Sequence, residues 1–203
     1  MPFVNYSQNY MLTQLTTSHG QYLSLHSAYS PTGANELTGG SPAYARVVPT
    51  WGTAAGGAIS TTSIASAFNV PPGSPTIVAW VGIFDALTGG NFQGMGPNGG
   101  LAQYGCTAAV TGNLFTAPGS SFANGTKVVL FNGAGATIPS NFTVGTVYYV
   151  VSASGATFSL SATLAGTAIT VNAAGAGIVQ AITVEQYSAQ GTFTVSSDVL
   201  TLV

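Results

Sequence analysis

The run from Thr76 to Asn91, TIVAWVGIFDALTGGN, constrains the fold more tightly than any other stretch. Its first nine residues include Ile77, Val78, Ala79, Trp80, Val81, Ile83 and Phe84, so neither side of a period-two strand is polar. A strand with one wet face alternates. One that does not is covered on both sides, so this segment is expected as a central strand, with Trp80 in the core. Asp85 then opens a turn. Its short carboxylate can accept backbone N–H groups, and Gly89 and Gly90 supply backbone angles that other residues resist.

Upstream, NYSQNYMLTQLTTSHG reads as a short helix. Asn5 or Ser7 caps it, Gly20 stops it, and Tyr6, Tyr10, Met11 and Leu15 are expected to share the face that lies on a sheet. Tyr22, Leu23 and Leu25 begin a strand that ends near His26. SPTGANELTGGSPA, from Ser30 to Ala43, is a loop, rich in Pro, Gly, Asn and Ser. Glu36 within it and Arg46 beyond it are expected to pair. If exposed, the pair contributes at most about 1 kcal/mol, and its role is to pin the loop against a strand from Tyr44 to Trp51. GGAISTTSI and FNVPPGSPT are punctuated by proline and read as strands or sheet edges.

A second style of sequence begins near Cys106. Strands are expected at Lys127–Phe131, Thr146–Ser152, Ala156–Leu160, Ala168–Val171 and Ile178–Val184, with turns at Asn124-Gly125 and Asn132-Gly133. Short strands at such intervals mean a sandwich or barrel. GTFTVSSDVLTLV at the end is expected to be a hairpin: Phe193 and Val195 alternate, Ser196 to Asp198 turn, and Leu200 and Leu202 alternate again. The fold class is therefore all-β, a sandwich- or barrel-like domain with one short N-terminal helix, plus a second small β domain.

Charge decides which partners are plausible. Only 3% of the residues are charged while 46% are hydrophobic, so the chain packs a core yet has little electrostatic repulsion to keep it apart from its neighbours. Such a chain suits an assembly. Its two cations, Arg46 and Lys127, cannot form a phosphate-neutralising patch, which argues against nucleic acid. Residues 1–35 carry no charge, unlike the basic start of a secretory signal. Long uncharged runs such as 128–184 are broken by Gly, Asn, Pro and Ser, so no membrane span is expected.

Chemistry has few residues to work with. The carboxylates are Glu36, Asp85, Glu185 and Asp198. Glu36 has Arg46, Asp85 has its turn, and the other two border terminal strands, so no acid/base pair for catalysis is expected. His19 and His26 lack ligand spacing with each other or with Cys106, and neither a metal nor any other cofactor is expected. His26 is expected to bond to backbone, and the lone Cys106 to be packed in a core. Tyr104, Phe115, Phe122, Tyr148 and Tyr149 could form aromatic platforms for a surface glycan, although aromatics on strands more often face a core.

Four segments carry a family resemblance: Leu25-His26-x-Ala28; Thr32-Gly33-x-Asn35-Glu36; Gly39-Gly40 with Tyr44-Ala45-Arg46; and Gly82 to Gly90. In order and spacing, residues 1 to about 95 resemble a family of small tailed-bacteriophage virion proteins, usually labelled tail-fibre or minor tail proteins. Ser41-Pro42-Ala43 departs from the pattern, since the family is shorter there. Family members tend to end soon after the fourth segment with a hairpin like the one expected here, whereas IPSNFTVGTVYYVVSASGATFSLSAT is similar to a β module of phage structural proteins. The resemblance thus implies a host domain of residues 1–105 and 185–203 with a guest domain, 106–184, inserted in it. The central strand should then pair within the host sheet, beside the C-terminal hairpin. It also implies a non-enzymatic, homo-oligomeric structural protein on the exterior of the virion, whose partners are the major capsid protein or tail proteins. Because the chain lacks shaft repeats and heptads, capsid decoration is the leading expectation. A minor tail or fibre protein and a glycan-binding adhesion module are the alternatives.

Overall fold

The computed structural model describes residues 5–18, 21–64, 66–99, 102–196 and 198–201. They fall into two compact units, Met1–Met95 with Gln186–Val203, and Gly96–Glu185. Both are built from strands, and the single α-helix among the described residues lies near the N-terminus, so the molecule is all-β as its sequence implies.

In the first unit, helix α1 (Asn5–Ser18) precedes β1 (Tyr22–His26), β2 (Pro49–Trp51), β3 (Ala58–Ile64), β4 (Phe68–Val70), β5 (Thr76–Val78), β6 (Trp80–Phe84) and β7 (Phe92–Pro97), whose last two residues already belong to the second unit. The expected long central strand is divided at Ala79, whose N–H turns aside to the His26 carbonyl at 3.1 Å. Its second half, β6, is central: the sheet order is β1-β6-β7, with His26 opposite Trp80 and Tyr22 opposite Phe84. Burial on both faces explains why the sequence here does not alternate, and Leu23, Leu25, Val70, Val78 and Ile83 share one core with Phe68 and Phe193. The strand expected from Tyr44 begins only at Pro49, preceded by a single bridge from Val47 to Leu23.

The helix is rotated from its expected orientation. Tyr6 and Tyr10 are 80% and 60% exposed, while Leu12 is fully buried against Ala54 and Ile59. Asn9 also faces inward, its Oδ1 accepting the Gly57 N–H at 2.9 Å. A tyrosine edge tolerates water far better than a leucine side chain does, so Leu12 decides the face. His19, the Gly20 stop, Ser197 of the expected turn and Leu202 lie outside the described residues.

The second unit is a closed antiparallel barrel of β8 (Gln103–Ala109), β9 (Leu114–Thr116), β10 (Lys127–Asn132), β11 (Tyr148–Ser154), β12 (Thr157–Ser161) and β13 (Gly175–Ala181), in the order β10-β11-β12-β9-β8-β13. Closure leaves no strand edge unpaired. Phe115, Phe158, Leu130, Leu160, Val150 and Val179 fill its interior. Residues 168–171, expected as a strand, are irregular; Ile169 still bonds to the Leu160 carbonyl at 2.7 Å, and Val171 is buried. Where the chain enters and leaves the unit its two arms touch: the Thr183 N–H donates to the Asn98 carbonyl at 2.7 Å.

The C-terminal segment is not a hairpin. After β14 (Glu185–Tyr187), which pairs with β5, β15 (Gly191–Phe193) pairs with β4 and β16 (Val199–Thr201) with β3. Nor does β6 lie beside this segment, since its neighbours are β1 and β7. The alternation that suggests a hairpin is the same for two strands that seek different partners, and each of these finds an edge left open upstream.

Candidate functional site

The four motif segments converge on Arg46. Its Nε and Nη2 donate to Oε1 and Oε2 of Glu36 at 2.8 and 2.7 Å, a two-pronged ion pair. Its Nη1 donates to the carbonyls of Ala86 and Gly89, both at 2.7 Å. The guanidinium carbon lies 3.4 Å from the centre of the Phe84 ring, a stacked position that a lysine ammonium could not reproduce. The expected pair forms and is largely shielded from water, the Arg46 and Glu36 side chains being only 8% and 20% exposed.

Tyr44 completes the arrangement. Its hydroxyl accepts the Leu25 N–H at 2.8 Å and donates to Glu36 Oε1 at 3.2 Å. Burial first, and then the Glu36 charge, push its ionisation far above the ordinary tyrosine range, so it remains a neutral donor. The loop that Arg46 grips is closed at its base by Asp85. Asp85 Oδ1 accepts the Asn91 N–H at 2.6 Å and Oδ2 the Asn91 side-chain amide at 2.7 Å, while the Asp85 N–H donates to the Asn91 carbonyl. Gly89 and Gly90 both have positive φ, and a Cβ on Gly90 would strike Asp85 Oδ1 and Ala86.

Behind this cluster His26 is fully buried. Its Nδ1 meets the Ala34 carbonyl at 2.9 Å and its Nε2 meets Ser24 Oγ at 2.8 Å. The backbone acceptor makes Nδ1 the protonated nitrogen, so the Ser24 hydroxyl donates to Nε2. A serine beside a histidine resembles a nucleophile and its base, yet Ser24 is itself fully buried and no substrate carbonyl could reach its Oγ. Burial lowers the His26 pKa below the usual 6.5, against opposing contributions from the Ala34 bond and Glu36 and a smaller reinforcing one from Arg46. In the unfolded chain the ring takes its proton near 6.5, so the unfolded state binds more protons over the window just below that value. Stability from this group is complete above pH 6.5 and falls as pH drops toward the lowered folded value, with a slope of at most about 1.4 kcal/mol per pH unit. Thermal melts between pH 7.5 and 5 are expected to show this decline in the first unit, and His26→Gln to flatten it.

Five of the residues singled out in the sequence, Glu36, Arg46, Asp85, Gly89 and Gly90, thus meet in one place. Trp80 lies apart, buried on β6 with its ring 5.2 Å from that of Tyr29. Tyr44 belongs to the third motif segment, but its hydroxyl's link to Leu25 and Glu36, like the Ser24 contact with His26, leaves no local pattern in the sequence. Of the other candidates, Cys106 is buried in the barrel, and burial raises its thiol to about 11, which keeps it protonated and unreactive. Of the five aromatics considered as platforms, Tyr149 is half-buried and the other four pack into or against the barrel core. Phe115 and Tyr148 are buried, and Tyr104 and Phe122 pack edge to face 5.6 Å apart against the core. Among the described residues, no three His, Cys, Asp or Glu side chains gather as a metal site would require, and no helix is long and apolar enough to cross a membrane.

The cluster therefore performs conformational work: every ionised group in it is occupied by another part of the chain. Residues 4–99 match the family model described as Gp80, Podophage GP4 fiber I protein gp80. The match supports a structural protein of a tailed phage, of the tail-fibre type. No curated protein and no solved structure matches the chain.

Proposed function

We propose that the chain is a non-enzymatic structural component of a tailed-phage tail, of fibre type, exposed on the particle exterior and held there by other virion proteins. The observation that carries this reading is the overlap between the family match, residues 4–99, and the Arg46 cluster, whose Glu36, Arg46 and Asp85 are all engaged in shaping backbone. A catalytic carboxylate needs a free lone pair facing substrate; these face loop amides and a guanidinium. The neutral surface fits burial in an assembly, where uncharged groups lose little on leaving water.

In this reading the barrel unit is a guest, and residues 98 and 183, bonded to each other, are the neck through which it joins the host. Capsid decoration is the second reading, favoured by the compactness of both units and by the lack of heptads or shaft repeats in the sequence. Quantitative mass spectrometry of purified virions separates the two. Copy number in proportion to tail subunits is expected, copy number in proportion to the major shell protein would favour decoration, and absence from the particle would overturn both. The glycan-adhesion reading is the third, and burial of Phe115 and Tyr148 leaves it fewer aromatic faces than the sequence offers.

A further inference from the structure

The first unit is not complete until the chain has passed through the second. The segment after the barrel supplies β14, β15 and β16 as neighbours to β5, β4 and β3. Phe193 and Val195 from this segment are buried in the core that holds Leu23, Phe68 and Val70. Its Gln190 accepts the Ser41 N–H on Oε1 at 3.1 Å and donates from Nε2 to the Pro42 carbonyl at 3.3 Å. Its Asp198 exchanges bonds with Thr61: the Thr61 N–H donates to the Asp198 carbonyl and the Asp198 N–H to Thr61 Oγ1, both at 2.9 Å. Without the segment three strands lose a neighbour, and Phe68 loses the Phe193 ring centred 6.5 Å away.

How readily the segment arrives depends on what lies between. In the folded barrel the two ends of the intervening chain are held together: the Thr183 N–H donates to the Asn98 carbonyl at 2.7 Å, and the Asn98 side-chain amide to the Thr183 carbonyl at 3.3 Å. The segment is then delivered as though through a link of a few residues. With the barrel unfolded, the same strands must close a flexible loop, residues 99–182, of about 84 residues. Closure falls as the three-halves power of length, so against a link of about four residues the difference is about a hundredfold.

We infer that the barrel is a clasp: by holding Asn98 to Thr183 it raises the equilibrium constant for seating residues 185–201 on the first unit about a hundredfold. Linkage makes the effect mutual, the seated segment favouring the folded barrel by the same factor. Loss of the barrel thus loosens the first unit with none of that unit's residues altered. The clasp rests on the guest arrangement of the barrel and not on where in a particle the chain resides, so a head location would leave it standing.

Melting does not isolate this effect, since the unit that unfolds second has already lost it; native-state hydrogen exchange does. In the full-length protein carrying Cys106→Ser, the pair Leu130→Asp and Phe158→Asp puts two charges into the barrel core and unfolds it, seen as lost protection throughout β10 and β12. The hydrogen-bonded amides of the β4–β15 pair are then expected to exchange about a hundredfold faster. Adding Asn98→Cys and Thr183→Cys and oxidising them closes the loop covalently, since residues joined by a backbone bond lie within reach of a disulfide. Exchange is expected to return to within about threefold of the Cys106→Ser parent, and reduction to undo the recovery. A rise of less than about tenfold on unfolding the barrel overturns the clasp, as does a rise that the oxidised bridge leaves in place. Should the barrel variant lose the fold of the first unit altogether, recovery of that fold on oxidation supports the clasp and failure to recover it overturns it.

Discussion

Replacing Arg46 by alanine is expected to destabilise the first unit by about 3 kcal/mol, the range found when one partner of a buried ion pair is removed. Three losses coincide. The Glu36 carboxylate keeps Tyr44 as its remaining side-chain donor, the carbonyls of Ala86 and Gly89 lose their shared donor, and the Phe84 ring loses the guanidinium stacked on it. Partial exposure of Glu36 admits some water and keeps the figure below the upper end of that range. Arg46→Lys preserves the charge, but a compact ammonium cannot span Glu36 and both carbonyls; about 1–2 kcal/mol should be lost. Urea unfolding followed by near-ultraviolet signals from the first unit measures both. Hydrogen exchange should also quicken at the 86–91 amides in Arg46→Ala. A loss under about 0.5 kcal/mol, typical of ordinary surface positions, would mean that the pair is as weak as an exposed one.

The barrel is expected to respond separately. Phe158 is buried, with the rings of Phe115 and Phe122 centred 5.9 and 5.5 Å away. Phe158→Ala leaves a cavity among aromatic neighbours that cannot collapse into it and should cost about 4 kcal/mol. Because the core clusters of the two units share no residue, calorimetry should resolve two transitions, of which Phe158→Ala lowers one. Excising residues 99–182 and joining Asn98 to Thr183 through a short Gly-Ser link should remove that transition and retain the other, since the two ends already touch and a short closure costs little entropy. A single cooperative transition in the wild type, or an excised chain that does not fold, would contradict the guest arrangement.

Of the remaining titrating groups, Asp198 runs against His26. Burial raises its pKa, and the bond from the Val199 N–H only partly offsets this. A raised carboxyl favours the fold in acid and opposes it as pH rises through the folded value, so the acid decline attributed to His26 is read most clearly above the carboxylate range.

Much of the architecture is legible in the residues. An unalternating apolar run at Thr76–Phe84 specifies a strand covered on both faces, the spacing of short apolar segments after Cys106 specifies a β unit, and the density of Pro, Gly and Ser marks the loops. Each of these follows from local stereochemistry and side-chain periodicity, which neighbouring residues determine among themselves. The partnerships were decided elsewhere. GTFTVSSDVLTLV has the alternation of a hairpin, yet its halves pair with β4 and β3, because alternation defines a face and leaves the neighbour open. Helix α1 was expected to bury the face of Tyr6 and Tyr10, and it is Leu12 that meets Ala54 and Ile59 instead. The pairing of Glu36 with Arg46 could be expected from scarcity of charge. Its burial, its grip on Ala86 and Gly89, and its link to Tyr44 required residues distant in sequence to be brought within 3.2 Å. Hydrogen bonds and desolvation act over such distances, and only the folded chain sets them.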